Sequence, residues 1–300
     1  MRTLAAETPI SNPAEFPLVA WGRRVEDALY TLHLFGSAGI AAFGWAMCRL
    51  LRVAATPWVI LWFAAGLFIY NVDRLRADPA DELNIPQRVR SADGLRPWSI
   101  LLLIASAAAL LLVPLARRDW TTLGFVLLGT PFCLNYSIPL RGRRSKDIPY
   151  LKTFFAPTLV LVAVFVLPLT HLERPVDARF VASLALWGWG VLMGNMILCD
   201  LRDLDGDLQT GVGSIPTLLG RAKTRQLLWL LAAGTCLVGL AMACFFRDLA
   251  RRGAVLAVAT SLYIGFLTLA VNRPRGERFY ERWVEGILFV PAILVAAIPS

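Results

Sequence analysis

Charged residues are scarce in this 300-residue chain: Asp, Glu, Lys and Arg make up 17 % of it, against roughly 25 % in a soluble domain. Beside a hydrophobic content of 57 %, that shortage excludes an ordinary water-soluble globule. Histidine is nearly absent, and His33 and His171 alone cannot build a multi-histidine metal centre. The five cysteines (Cys48, Cys133, Cys199, Cys236 and Cys244) are scattered, mostly inside apolar runs, and none has C-x-x-C spacing. Neither a thiolate metal site nor a disulfide framework is indicated. The N-terminal stretch carries Pro9, Pro13 and Pro17 but no basic segment leading into a short apolar core, so it does not read as a cleavable signal peptide. No low-complexity tract and no fixed-period repeat is visible.

What the chain has in abundance is long apolar runs. Nine lie near residues 28–50, 57–70, 98–115, 121–138, 151–169, 180–199, 226–246, 254–271 and 284–298. A bilayer-spanning helix needs roughly 20 mostly apolar residues. The runs therefore predict an all-α polytopic membrane bundle of about nine transmembrane helices, a single domain over 1–300 with residues 1–25 ahead of the first span. The ten Trp and the formal net charge of +9 fit interfacial anchors and basic loops. A basic balance can also mean nucleic acid, but the arginines here sit in short loops between apolar runs, which favours the membrane.

The loops alternate in charge. Twenty of the 30 lysines and arginines precede the first run or follow the second, fourth, sixth and eighth, and nine lie on the opposite side. Positive residues favour the cytoplasm. This predicts an integral, multi-pass protein of the cell (inner) membrane with its N-terminus and its longer, acid-bearing loops on the cytoplasmic face.

Asp200, Asp203 and Asp207 are spaced i, i+3 and i+7, which places them on one stripe of a helix. With Asp205, four acids within eight residues repel one another and call for a cation. A hard divalent ion with oxygen ligands is the natural partner, and Mg²⁺ in particular is held by a few carboxylates together with substrate phosphates. The bland alternative is a solvated helix end whose acids pair with Arg202, Arg221 and Lys223, although the helix dipole opposes acids at a C-terminus. Asn195, inside the same run, suits either an interhelical hydrogen bond or a substrate contact.

The stretch from Asp200 to Gly220, with Gly211, Ser214-Ile215-Pro216 and Leu219-Gly220, resembles the second aspartate motif of UbiA-type prenyltransferases, D-x-x-D-x-x-x-D followed by Gly, a Thr/Ser-Ile/Leu-Pro segment and Leu-Gly. The family's first motif, N-D-x-x-D-x-x-x-D then N-x-P-x-R, has its counterpart after the second run. There Asn84, Pro86 and Arg88 match, and Asp81 falls on the third acid. Asp78 lies one position off the second acid and Asn71 two positions early, with Pro79 interrupting any helix through the motif. The resemblance implies a helical bundle with a central cavity, in which two acidic motifs hold Mg²⁺ on the diphosphate of an isoprenoid donor. It assigns metal binding to Asp73, Asp78, Asp81, Asp200, Asp203 and Asp207.

Between the fourth and fifth runs lie Arg141, Arg143, Arg144, Lys146 and Lys152. Topology and anionic lipid explain most such cations. Lys152 opens an apolar run and is less easily solvated. In the family this loop meets the donor diphosphate, which implies roles for Lys152, Lys146 and, behind them, Arg144, with Asn71 and Asn195 as further substrate contacts. Phe63, Phe68, Phe154, Phe155, Trp187 and Trp189 are candidates to line a prenyl channel and face an allylic cation, though packing accounts for each one singly. The expected reaction is Mg²⁺-dependent prenyl transfer to a lipophilic acceptor in the membrane, an aromatic one in the first place. A repurposed isoprenoid-binding relative and a multi-span transporter remain as alternatives, to be told apart by turnover and by gradient-driven uptake.

Overall fold

The computed structural model describes residues 17–56, 58–75, 79–139, 142, 144–173, 175–246 and 250–298, with the side chains of 17–20, 23 and 250 aside. All regular structure among them is helical: α1 (Pro17–Thr31), α2 (Leu34–Leu51), α3 (Trp58–Arg74), α4 (Pro79–Asn84), α5 (Pro86–Arg117), α6 (Trp120–Ser137), α7 (Leu151–Leu169), α8 (Ala178–Thr210), α9 (Ile215–Phe245), α10 (Ala250–Ala270), α11 (Glu277–Phe279) and α12 (Val290–Ala297). One 3₁₀ turn, Ser145–Asp147, precedes α7, and a π segment (Tyr280–Val284) and a 3₁₀ segment (Glu285–Phe289) join α11 to α12.

Each apolar run falls on a helix, with two departures from the sequence reading. The run beginning at residue 28 is not one helix: His33 adopts φ 57°, ψ 22°, which ends α1 and restarts the chain as α2. The last run is not a uniform helix either, since it passes from π through 3₁₀ to α geometry. Among the described residues, six helices are long and apolar enough to cross a bilayer. The expected nine are not reached by that measure. At 17 residues α3 is short, and α6 dilutes its apolar residues with Thr121, Thr122, Thr130, Asn135 and Ser137.

Local chemistry sets the ends. Asp119 caps α6 by accepting from the Thr122 amide at 2.9 Å, Asp177 caps α8 through Arg179 N at 2.8 Å, and Pro86 opens α5, where no amide donor is needed. Gly211 closes α8 in the left-handed region, φ 74°, and a second positive φ at Gly220 kinks α9. At 33 residues, α8 is roughly 50 Å long at 1.5 Å per residue, longer than a hydrocarbon core requires. Its last turns, which carry the aspartates, therefore extend to the polar end of the bundle.

Small residues bring the helices together, as packing between lipid-exposed helices requires. A Cβ at Gly44 would fall inside the Trp62 ring, so α2 and α3 approach at that notch, and Gly190 of α8 abuts Thr235 of α9 in the same manner. Trp187, Phe43 and Leu184 are fully buried at the centre. Large apolar side chains such as Leu128, Leu230, Leu262 and Phe245 point outward.

The C-terminal segment is strapped across the polar end by charge. Glu277 accepts from the amides of Gln87 and Arg88 at 3.0 and 3.1 Å, capping α5 from a distant part of the chain. Buried Arg88 donates to Glu281 at 2.9 and 3.1 Å and lies 3.5 Å from Glu285. Arg278 pairs with Asp27, and Arg282 with Glu26. Removing one partner of a buried ion pair leaves the other charge without compensation, at a cost of about 3–5 kcal/mol. We therefore expect Arg88→Gln to lower thermal stability markedly in detergent and to open residues 277–289 to proteolysis. Unchanged melting and cleavage would contradict this account of the strap.

Candidate active site

A cavity of about 600 Å³ runs into the bundle between α3, α5, α6, α7 and α8. Its inner limb is apolar, walled by Leu61, Trp62, Leu110, Phe125 and Leu167. Its outer end gathers the charged residues of both acidic regions and of the segment before α7.

The α8 stripe forms one wall of the polar end. Asp200, Asp203 and Asp207 all line the cavity, while Asp205 turns outward and pairs with Arg221 at 2.8 Å. Lys152, at the start of α7, places its Nζ 2.8 Å from Asp207, 3.5 Å from Asp200 and 3.9 Å from Asp203. Arg202 clamps Asp203 at 2.7 Å and lies over the Tyr280 ring at 5.8 Å. Asp200 is fully buried. Its Oδ2 accepts from the Thr153 hydroxyl, and its Oδ1 has no hydrogen-bond partner among the described residues. Of the pairings that a merely solvated helix end would make, Arg221 takes only the outward acid.

Across the cavity, Asp73 at the end of α3 meets Lys146 at 2.8 Å. Lys146 also sits 6.0 Å from the centroid of Tyr136, whose ring stacks on Phe155 at 5.5 Å. Asp81 on α4 binds Arg74 at 2.7 Å. Arg74 Nε in turn donates to His33 Nε2 at 3.3 Å, and His33 stacks on Tyr70 with centroids 4.7 Å apart. Burial, and then the guanidiniums of Arg88 and Arg74, hold the His33 imidazole well below its ordinary pKa and so neutral. Arg144 lines the cavity and grips Asp147 at 2.6 Å, and these hydrogen bonds hold the Asp147 carboxyl below the usual range.

Not every predicted residue joins this group. Asp78 lies outside the described residues. Asn71 is fully buried and is not among the cavity-lining residues: its Nδ2 donates to Leu67 O at 2.8 Å, and its Oδ1 has no partner among the described residues. Asn195 lines the cavity and also makes the interhelical bond, Nδ2 to Val284 O at 2.8 Å. Of the aromatic candidates, Phe68 and Phe155 line the cavity. Trp187 is buried in packing, and Phe154 and Trp189 stack on one another at 6.4 Å. Thr153, Tyr136 and the His33–Tyr70–Arg74 group went unnoticed in the sequence reading as site residues. Only the adjacency of Thr153 to Lys152 offered a signal.

The residues suit a hard divalent cation. The donors are carboxylate oxygens, and buried Asp200 Oδ1 has no hydrogen-bond partner among the described residues, only the Lys152 ammonium at 3.5 Å. As placed, the three α8 carboxylates converge on the Lys152 ammonium. Among the described residues no three acid, histidine or cysteine side chains form a ready-made metal cage.

The two acidic regions are joined directly. Asn84 Oδ1 accepts from Gly206 N at 3.1 Å, and a Cβ at Gly206 would fall on the Asn84 side chain. Gly206→Ala should push α4 away from α8, costing about 1–3 kcal/mol by overpacking and displacing Asp81 relative to Asp203. A stability loss confined to Gly206→Ala and relieved in the Asn84→Ala/Gly206→Ala double variant would identify this contact. Full additivity of the two changes would refute it.

No curated protein matches the chain. Among solved structures it resembles a UbiA homologue from Aeropyrum pernix K1 in its apo form, with a TM-score of 0.54 and 20 % identity over 88 % of this chain and 96 % of that one. A second likeness, to a digeranylgeranylglyceryl phosphate synthase, has a TM-score of 0.48 at 13 % identity, covering 91 % and 97 % of the two chains. The first shows the same helical fold. In sequence, residues 78–285 match the UbiA prenyltransferase family. That is well over half of the chain, and the protein belongs to this family of intramembrane prenyltransferases.

Proposed function

We propose that the protein transfers a prenyl group from an isoprenoid diphosphate to a lipophilic acceptor, with Mg²⁺, on the cytoplasmic side of the membrane, and that residues 1–300 act as one bundle domain. One observation carries this reading: a single cavity is lined by seven acidic and several basic side chains and also by a long stretch of apolar ones. That is the combination a diphosphate with a hydrocarbon tail requires.

Asp200, Asp203 and Asp207, with Asp73 and Asp81 opposite, would hold the metal, which when bound supplies Lewis-acid neutralisation of the leaving diphosphate; the resemblance in sequence adds Asp78 to them. Lys152 lies 2.8 Å from Asp207 and Lys146 2.8 Å from Asp73, and in this reading they donate to the diphosphate oxygens, backed by Arg144. The C1–O bond of the donor breaks and its electron pair leaves with the diphosphate, while these ammonium groups meet the developing negative charge. Tyr136 and Phe155 present aromatic surface beside that point, suited to an allylic cation. The apolar limb keeps water from trapping the cation. The acceptor, an aromatic carbon or a hydroxyl, forms the new bond to C1 and gives up a proton. Thr153 holds Asp200 in place beneath this chemistry.

The test uses purified protein in nanodiscs and prenyl diphosphates from geranyl to long polyprenyl, with and without Mg²⁺. Wild type should bind a donor only with Mg²⁺, and chelation should abolish binding. Asp203→Ala and Lys152→Gln should each reduce diphosphate release on the order of 10²-fold or more, the loss typical of removing one electrostatic contact to a developing charge. Release undiminished in both variants would overturn the assignment. Donor binding in wild type without release for any acceptor tried would point instead to an isoprenoid-binding relative.

A further inference from the structure

Four arginines follow α10, at 273, 275, 278 and 282; in sequence they count alike as topological charge, but the structure divides them. Arg278 and Arg282 are neutralised by Asp27 and Glu26 of α1. Arg273 has no partner among the described residues. Arg275 donates to the Ala270 carbonyl at 2.8 Å and lies over Phe279 at 5.2 Å, without a carboxylate. Arg225 of α9 joins them by bonding the Asn272 side chain, also without a carboxylate. Three guanidiniums thus stand near one another without a carboxylate partner among the described residues.

Arg273 and Arg275 line a second depression, of about 510 Å³, with Phe266, Leu269, Ala270 and Asn272, and Arg225 reaches it through Asn272. Its floor continues along α10. Leu262, Phe266 and Leu269 follow the i, i+4, i+7 spacing of one helix face and are 69, 50 and 57 % exposed. Trp283 stands edge-on to Phe266 at 6.2 Å and is itself half exposed. An exposed indole beside the end of a span marks the level of the lipid headgroups. The depression therefore offers cations at headgroup height and an apolar track below them.

We infer that this depression is a binding site for the phosphate of an anionic phospholipid, held by Arg273 and Arg275 with Arg225 behind, its acyl chain lying along Leu262, Phe266 and Leu269. Guanidinium groups recognise phosphate oxygens in pairs, and basic pockets beside membrane helices select anionic headgroups. The apolar track is what favours a lipid over a free anion. The site shares no lining residue with the large cavity and does not depend on the reaction assigned there.

Native mass spectrometry of the full chain in detergent, titrated with phosphatidylglycerol and separately with phosphatidylcholine, decides the matter. Wild type should retain one phosphatidylglycerol at least about tenfold more tightly than phosphatidylcholine, a preference of the size expected for two or three surface cations. R273Q/R275Q should bring the two lipids level, while R273K/R275K keeps most of the preference. The single variant R273Q removes a side chain without partners in the fold, so it should weaken phosphatidylglycerol binding several-fold even if the double variant misfolds. Equal affinity for the two lipids in wild type, or an unchanged preference in R273Q and R273Q/R275Q, overturns the site. Displacement of the lipid by millimolar inorganic phosphate overturns the lipid as its occupant and leaves a free-anion site.

Discussion

Asp200, Asp203 and Asp207 stand on one stripe of a helix whose end is largely buried, and carboxylates so placed cannot remain ionised together unless cations reach them. That constraint shapes the polar end of the bundle. Lys152 touches all three, so α7 must begin where it does, directly after the 3₁₀ turn at Ser145–Asp147, with Tyr150 in the left-handed region at φ 65° to turn the chain into the helix. Thr153, one residue on, then meets both Asp200 and the Ile215 amide at the start of α9. One lysine–threonine pair thereby ties α7, α8 and α9 at the point where chemistry is expected.

The second acidic region obeys the same rule by other means. Its acids do not share a helix. Asp73 ends α3, Asp81 lies on α4, and each is placed by its own cation, Lys146 or Arg74. The link to α8 is a hydrogen bond, from Gly206 N to Asn84 Oδ1. Around both regions the C-terminal segment closes the end of the bundle through Glu277, Glu281 and Glu285 on the α5 terminus. Its irregular π and 3₁₀ turns bring Glu285 to the cavity while Val284 offers its carbonyl to Asn195.

What could be read from the sequence follows from how local each feature is. The α8 stripe needs only a helical period, and i, i+3, i+7 spacing delivered it. The helices themselves needed only apolar length. Features set by distant partners were not legible. No pattern near residue 33 announces that its backbone turns left-handed and breaks the first run, because the reason is tertiary, the stacking on Tyr70 and the bond from Arg74. Asn195 had two readings, and the geometry gives it both a carbonyl partner and a place on the cavity wall. Asn71 looked like a leading site residue from its position before the acids, yet its amide is spent on its own helix at Leu67.

The irregular register of the first motif becomes intelligible on this contrast. On a continuous helix, shifting one acid by a single position rotates it about 100° away from its neighbours, so spacing on α8 must be kept for the three carboxylates to share Lys152. In the first motif Asp73 lies near the end of α3 at Arg74, and Asp81 lies on α4, which starts afresh at Pro79. There an acid's place is fixed by the cation that reaches it and by Asn84 on Gly206, not by counting residues. Asp73 and Asp81 reach the cavity from separate elements, whereas on α8 position along the helix decides, and Asp205, off the stripe, faces outward to Arg221.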